Sequence, residues 1–102
     1  MPRHGMFGSL TTHPGKRDEL VAILLEAARL QGAMAGCENY IVHTSESDPN
    51  KVFVSEVWRT REDHEQSLKA AEVRALIERG RPLIAAMGDR FETTPMGGKG
   101  LG

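Results

Sequence analysis

The chain has 102 residues, enough for one domain with an ordinary core and too few for two. Thirteen Lys and Arg against fourteen Asp and Glu leave a net charge of −1, mixed along the chain, which excludes the basic footprint of a nucleic-acid or anionic-membrane binder. The single cysteine, Cys37, excludes an internal disulfide or a thiolate metal cluster and reads as a small strand residue. No apolar run approaches the roughly 20 residues of a bilayer span, and "MPRHGMFGSLTT" lacks the apolar stretch of a signal peptide, so a cytoplasmic location is expected.

In chain order, His4 to Thr11 is short and glycine-interrupted, and reads as a strand because "HPGKRDEL" then has the character of a helix start. Pro14 suits a first-turn position, and Asp18 and Glu19 suit the positive end of the helix dipole. Leu20, Val21, Leu24, Leu25 and Ala28 recur at helical spacing, and Gly32 marks the end. Two runs rich in β-formers follow, Cys37 to Ser45 and Val52 to Arg59, separated by "ESDPNK", where Asp48, Pro49 and Asn50 fit a type I turn. An antiparallel hairpin is predicted. In its second strand Val52, Val54, Glu56 and Trp58 share one face, and Phe53, Ser55 and Val57 the other.

Thr60 and Asp63 make an approximate capping box, so a helix should open there. His64, Leu68 and Ala71 form one stripe, while Val73, Leu76 and Ile77 form another some 100° away, which predicts a break near Lys69 to Glu72. Gly80 predicts a further stop, Pro82 a short helix with Leu83, Ile84 and Met87 inward, and Asp89 to Pro95 a last strand. The order strand, helix, strand, strand, helix, strand is that of a ferredoxin-like α+β fold: a four-stranded antiparallel sheet with helices on one face. Apolar residues on both faces of the Val52 strand predict a cover for the second face, and a homodimer closing two sheets into a barrel is expected. A single domain over 1–102 with a glycine-rich tail from 96 to 102 follows, the tail being expected to pack across the dimer.

"SEVWRTREDHEQSLK", followed by "EVRALIERGRPLIA" and "GGKGL", resembles the antibiotic biosynthesis monooxygenase family, and in particular its quinol monooxygenase subgroup. Glu56 and Trp58 match the family's Glu-x-Trp signature, His64 its helix-start histidine, and "HPGKRDEL" is also typical; the resemblance runs over nearly the whole chain. It implies a dimeric α/β barrel with a pocket between sheet and helices, and oxygenation of a quinol, hydroquinone or other phenolic aromatic by dioxygen without metal, flavin or haem. The same fold also hosts isomerases and haem-degrading proteins, so kinship alone does not set the activity.

Such oxygenation needs a base to remove a phenolic proton, a fitted apolar slot, and donors for developing oxyanions. His64, at the fourth helical position near the positive end of the dipole, is the expected proton acceptor, set against a structural first-turn histidine. Trp58 is expected to shape the catalytic site with His64, as a flat wall and an N–H donor to an aromatic substrate or its oxyanion, set against a core anchor. Tyr40, Glu56, Phe53 and Met87 are the expected substrate-lining residues; for Glu56 an ion pair or hydrogen bond to a neighbouring strand or subunit ranks above an acid role, and for Phe53 and Met87 core packing comes first. His43 reads as structural or exposed, and His4 and His13 as solvent-facing or capping. The four scattered histidines show no metal-ligand spacing, and "GGKGLG", with no helix after it, is no phosphate loop. A non-catalytic ligand-binding or interaction dimer and an isomerase remain alternatives. Haem degradation fits worse, since Phe7 stands near the position where those relatives carry an asparagine.

Overall fold

The computed structural model describes residues 2–101 and gives the element order β1 (His4–Thr12), α1 (Arg17–Gly32), β2 (Cys37–Thr44), β3 (Lys51–Trp58), α2 (Arg61–Ser67), α3 (Ala71–Gly80) and β4 (Ile84–Thr93). The four strands form one antiparallel sheet in the order β2-β3-β1-β4, the ferredoxin-like arrangement, with the helices on one face. The hairpin turn forms as its residues dictate: Lys51 N–H donates to the Asp48 carbonyl, and Asn50 N–H donates to the Asp48 carboxylate at 2.9 Å. No helix among the described residues is long and apolar enough to cross a membrane.

The core lies between the helices and the sheet and is built from Leu20, Ile23 and Ala27 of α1, Val52 of β3, Leu76 of α3 and Leu83. Side chains of the size of Leu20 and Val52, both almost fully buried, each contribute roughly 1.5–3 kcal/mol on transfer from water. The buried line along α1 runs through Leu20, Ile23, Ala27 and Gln31, not through the expected Val21, Leu25 and Ala28, and Leu25 is 54% exposed. The helix packs against β2 on one side and α3 on the other, so its inner line follows the seam between them rather than the centre of its apolar arc. Gly80 faces that seam, where a β-carbon would meet a Leu20 methyl at 3.4 Å, an ordinary van der Waals contact.

Thr60 caps α2 as its spacing predicts, its hydroxyl accepting from Asp63 N–H at 3.0 Å, and the break falls between Ser67 and Ala71. Three expectations fail locally. Pro14 lies in a turn ahead of α1, which begins at Arg17, and Gly15 at φ +79° takes the turn's left-handed position. The helix expected at Pro82 is a single 3-10 turn, Arg81–Leu83. The last strand therefore starts at Ile84, not Asp89, because pairing with β1 draws in the whole segment, and Met87 sits 74% exposed on this edge rather than inward. Within the chain the Arg3 guanidinium donates to the Leu101 carbonyl of the glycine-rich tail at 2.8 Å.

Candidate functional site

Strand pairing aligns the helix-covered face of the sheet. His4 of β1 pairs with Trp58, Met6 with Glu56, and Tyr40 of β2 with Glu56 from the other side. Alternation turns these side chains to one face and puts Phe7, Phe53, Ile41 and His43 on the other. The α2 cap then sets His64 one turn into its helix and over that inner face. Two further bonds hold it there, for the Ser67 hydroxyl donates to the His64 carbonyl at 2.6 Å and Gln31 of α1 donates to the Ser67 hydroxyl at 3.0 Å.

Trp58, His64 and Glu56 meet as a cluster. The Trp58 and His64 rings lie 5.5 Å apart at 58°, and Trp58 Nε1–H donates to Glu56 Oε1 at 2.9 Å. His64 Nε2 stands 3.8 Å from the same oxygen, beyond hydrogen-bond range. Burial pushes the His64 imidazole below its ordinary value, with the charges of His4 and Arg90 acting in the same direction and Glu65 and Glu92 opposing. Burial also pushes the Glu56 carboxyl up, against the Trp58 N–H and the Arg90 charge. His64 is therefore neutral at neutral pH, so the His64–Glu56 contact is not an ion pair there. Tyr40 is pushed well above the ordinary phenol range by burial first and then by Glu56, which leaves it a donor and not a base.

A cavity of about 150 Å³ opens between α1, α3 and the sheet, with Tyr40, Glu56 and His64 on an otherwise largely apolar wall that includes Leu20, Leu24 and Leu76. A second, of about 240 Å³, lies beneath β1 and β4 and reaches Met6, Met87 and Arg90. Leu24, Tyr40 and Glu56 border both. Polar groups converging on apolar hollows are the usual character of a small-molecule site.

His64, Tyr40, Glu56 and Met87 thus all border these cavities. Trp58 does not: it is 1% exposed, its N–H is committed to Glu56, and it stands behind the site as the packing that sets Glu56 and His64. Glu56 finds its partner on its own strand rather than on a neighbouring one. Phe53 lies on the opposite face of the sheet, stacked on Phe7 with ring centroids 5.8 Å apart, and cannot reach the cavities of its own chain. His13 and His43 are exposed as expected, His43 hydrogen-bonding Ser55 at 3.1 Å. Cys37 is half-buried, and burial raises its thiol, as befits a structural residue. His4, expected in solvent, is 5% exposed with its ring 5.9 Å from His64. Its place follows only once the β1–β3 register sets it opposite Trp58. Gln31, Ser67, Arg90 and Glu92 also carry no signal without that packing. Among the described residues no three His, Cys, Asp or Glu side chains converge as a metal site would need.

Solved structures similar in form to this one share its architecture. A candidate antibiotic biosynthesis monooxygenase from Chloroflexus aurantiacus J-10-fl is 42% identical, with 98% of this chain and 99% of that one covered at a TM-score of 0.90. SnoaB, a cofactor-independent oxygenase from Streptomyces nogalater solved in a mutant form, matches over 97% of this chain and 98% of its own, at 13% identity and a TM-score of 0.82. Rv0793 from Mycobacterium tuberculosis matches over 95% and 98%, at 15% identity and a TM-score of 0.82. These last two identities speak for the fold alone. Among curated protein sequences none matches. The profile of the antibiotic biosynthesis monooxygenase family matches residues 4–79, a span that holds every element of the site just described except Met87, Arg90 and Glu92, and the chain belongs to that family.

Proposed function

We propose that the protein is a homodimeric, cytoplasmic monooxygenase that oxidises a quinol, hydroquinone or other phenolic aromatic with dioxygen and needs no metal or organic cofactor. The observation that carries this reading is the His64 imidazole: buried, uncharged at neutral pH, and bordering an apolar cavity together with Tyr40 and Glu56. A base that is neutral at working pH is what abstraction of a phenolic proton requires.

In this reading the ring lies against the apolar wall, with Leu24 at the junction of the two cavities and Met87 at the outer rim. His64 accepts the phenolic proton. The phenolate passes one electron to dioxygen, and the resulting pair combines to form a carbon–oxygen bond at a ring carbon bearing hydrogen. The peroxide takes a proton, the ring carbon gives up its hydrogen as a proton, the O–O bond breaks, and a quinone and one water leave. One oxygen atom ends in the quinone and the other in water, so the substrate supplies all four electrons. Tyr40 and the protonated fraction of Glu56 are donors to the oxyanions that develop along the way. Trp58 acts through Glu56 and His64, not on the substrate.

The outer sheet face supports the dimer: Phe7, Ile41 and Phe91 are each more than 40% exposed there, beside Phe53. A second copy of the same face is the self-complementary cover, as a two-fold interface requires.

The test is oxygen uptake and quinone formation across a panel of hydroquinones and polyphenols, with chelator-treated protein, under air and under nitrogen. Uptake above the autoxidation rate, one dioxygen consumed per quinone, and a large loss in His64→Ala are expected. No uptake above the blank across the panel, or an undiminished rate in His64→Ala, overturns the proposal. Turnover that persists under nitrogen assigns the site to isomerisation instead.

A further inference from the structure

The site holds a second buried imidazole that the reaction above does not use. His4 and His64 are each 5% exposed, and their ring centroids lie 5.9 Å apart at 37°. They come from opposite layers of the fold, β1 in the sheet and α2 above it, and both sit beside Trp58, which pairs with His4 in the strand register. His4 does not border either cavity, whereas His64 borders the first. His4 Nε2 stands 3.6 Å from Glu92 Oε1, and Glu92 is half exposed and held by the Arg61 guanidinium at 2.9 Å. The two rings therefore differ in surroundings: one looks into an apolar hollow, the other toward an anchored carboxylate at the surface.

We propose that His4 is a positioning residue for His64: the two rings accommodate one proton between them, on the side of Glu92, so that His64 stays uncharged and turned to the cavity. Two positive charges this close and out of water repel, and the carboxylate decides where a single charge settles. The other charged or titratable groups facing His64 divide, and burial with the two that favour its neutral form prevails. Glu56 from β3 is itself driven toward its neutral form, Arg90 from β4 repels a proton on His64, and only Glu65, beside it on α2, and Glu92 attract one. The catalytic meaning of the pair rests on His64 being the base, but its existence does not.

The experiment is an NMR titration of the imidazole ring protons in the full chain, comparing wild type with His4→Gln and, as control, His13→Gln, which alters an exposed and remote ring. In wild type the His64 signal should show two inflections, because coupled sites titrate in shared steps. In His4→Gln it should show one, displaced upward by about one pH unit, and in His13→Gln it should match wild type. A single wild-type inflection, or a His64 titration that His4→Gln leaves in place, overturns the proposal. If His4→Gln does not fold, the wild-type curve alone still decides. The titration needs no turnover, so a coupled pair in a protein that oxidises no phenol would leave the pairing standing and remove the monooxygenase reading. With a phenolic substrate in hand, His4→Gln should also move the acidic limb of kcat/KM upward with KM little changed, which loss of packing alone would not do.

Discussion

The two faces of the sheet invert the usual distribution. Beneath the helices, among Leu and Val, lie His4, Tyr40, Glu56 and His64, polar groups withdrawn from water; on the open face Phe7, Ile41 and Phe91 stand exposed. Buried polar groups cost stability unless partnered, and exposed aromatic patches invite association. Each face is costly for an isolated chain, and each cost points to a task. The inner one keeps a base neutral beside a hollow, and the outer one calls for a partner surface.

The comparison can be broken from either side. The largest effect is expected on the inner face: His64→Ala should lower kcat/KM by about 100-fold or more, the usual contribution of a positioned base, measured by oxygen uptake. On the outer face, Phe53→Glu should weaken self-association by ~100-fold or more, as an uncompensated buried charge does, while circular dichroism stays unchanged; light scattering after size exclusion checks it. If Phe53→Glu leaves the mass unchanged, the aromatic face is not the interface.

A smaller change is expected from Trp58→Phe. It keeps a buried aromatic ring but removes the donor to Glu56, and the loss of one hydrogen bond to a buried carboxyl, about 1–3 kcal/mol, should appear as lower thermal stability and a roughly 10-fold lower kcat/KM.

The pH dependence sharpens the contrast most finely. The His64 value is depressed in the fold, so the folded protein binds fewer protons than the unfolded chain just below pH 6.5, and stability should fall as the pH drops from there through the folded value. The acidic limb of kcat/KM should accordingly lie below that of a free imidazole. Glu56 has the opposite sign. Its value is raised, so its favourable contribution is present below the ordinary carboxyl value and is lost as pH rises through the folded one. Glu56→Gln should remove that slope and raise the melting temperature by a few degrees at pH 7–8 relative to wild type, while giving no gain at pH 4. An equal gain at both pH values would mean that the carboxyl is not strained by burial.

Much of this was legible in local chemistry. The Asp-Pro-Asn turn, the Thr60 cap, the break after Ser67 and the shared face of Glu56 and Trp58 each depend on neighbours a few residues apart, and all appear as their residues dictate. Phe53 shows where a residue type misleads: an aromatic suits a substrate pocket, but its odd position on β3 had already turned it away from Glu56 and Trp58. Met87 and the Pro82 segment show another limit, since edge pairing with β1 made strand out of a stretch whose own sequence favours a turn and helix.

By itself, then, the sequence determined the element order, the capped junction at Thr60 and the alternation that gathers Val52, Val54, Glu56 and Trp58, because turns, caps and strand faces are decided within one or two turns of chain. Only the tertiary structure decided that His64 reaches Glu56, that Trp58 stands behind the site instead of lining it, and that His4 lies beside His64. Those placements depend on strand register and helix docking between residues as many as 60 apart in sequence, where the total burial of the core outweighs the preference of any single side chain.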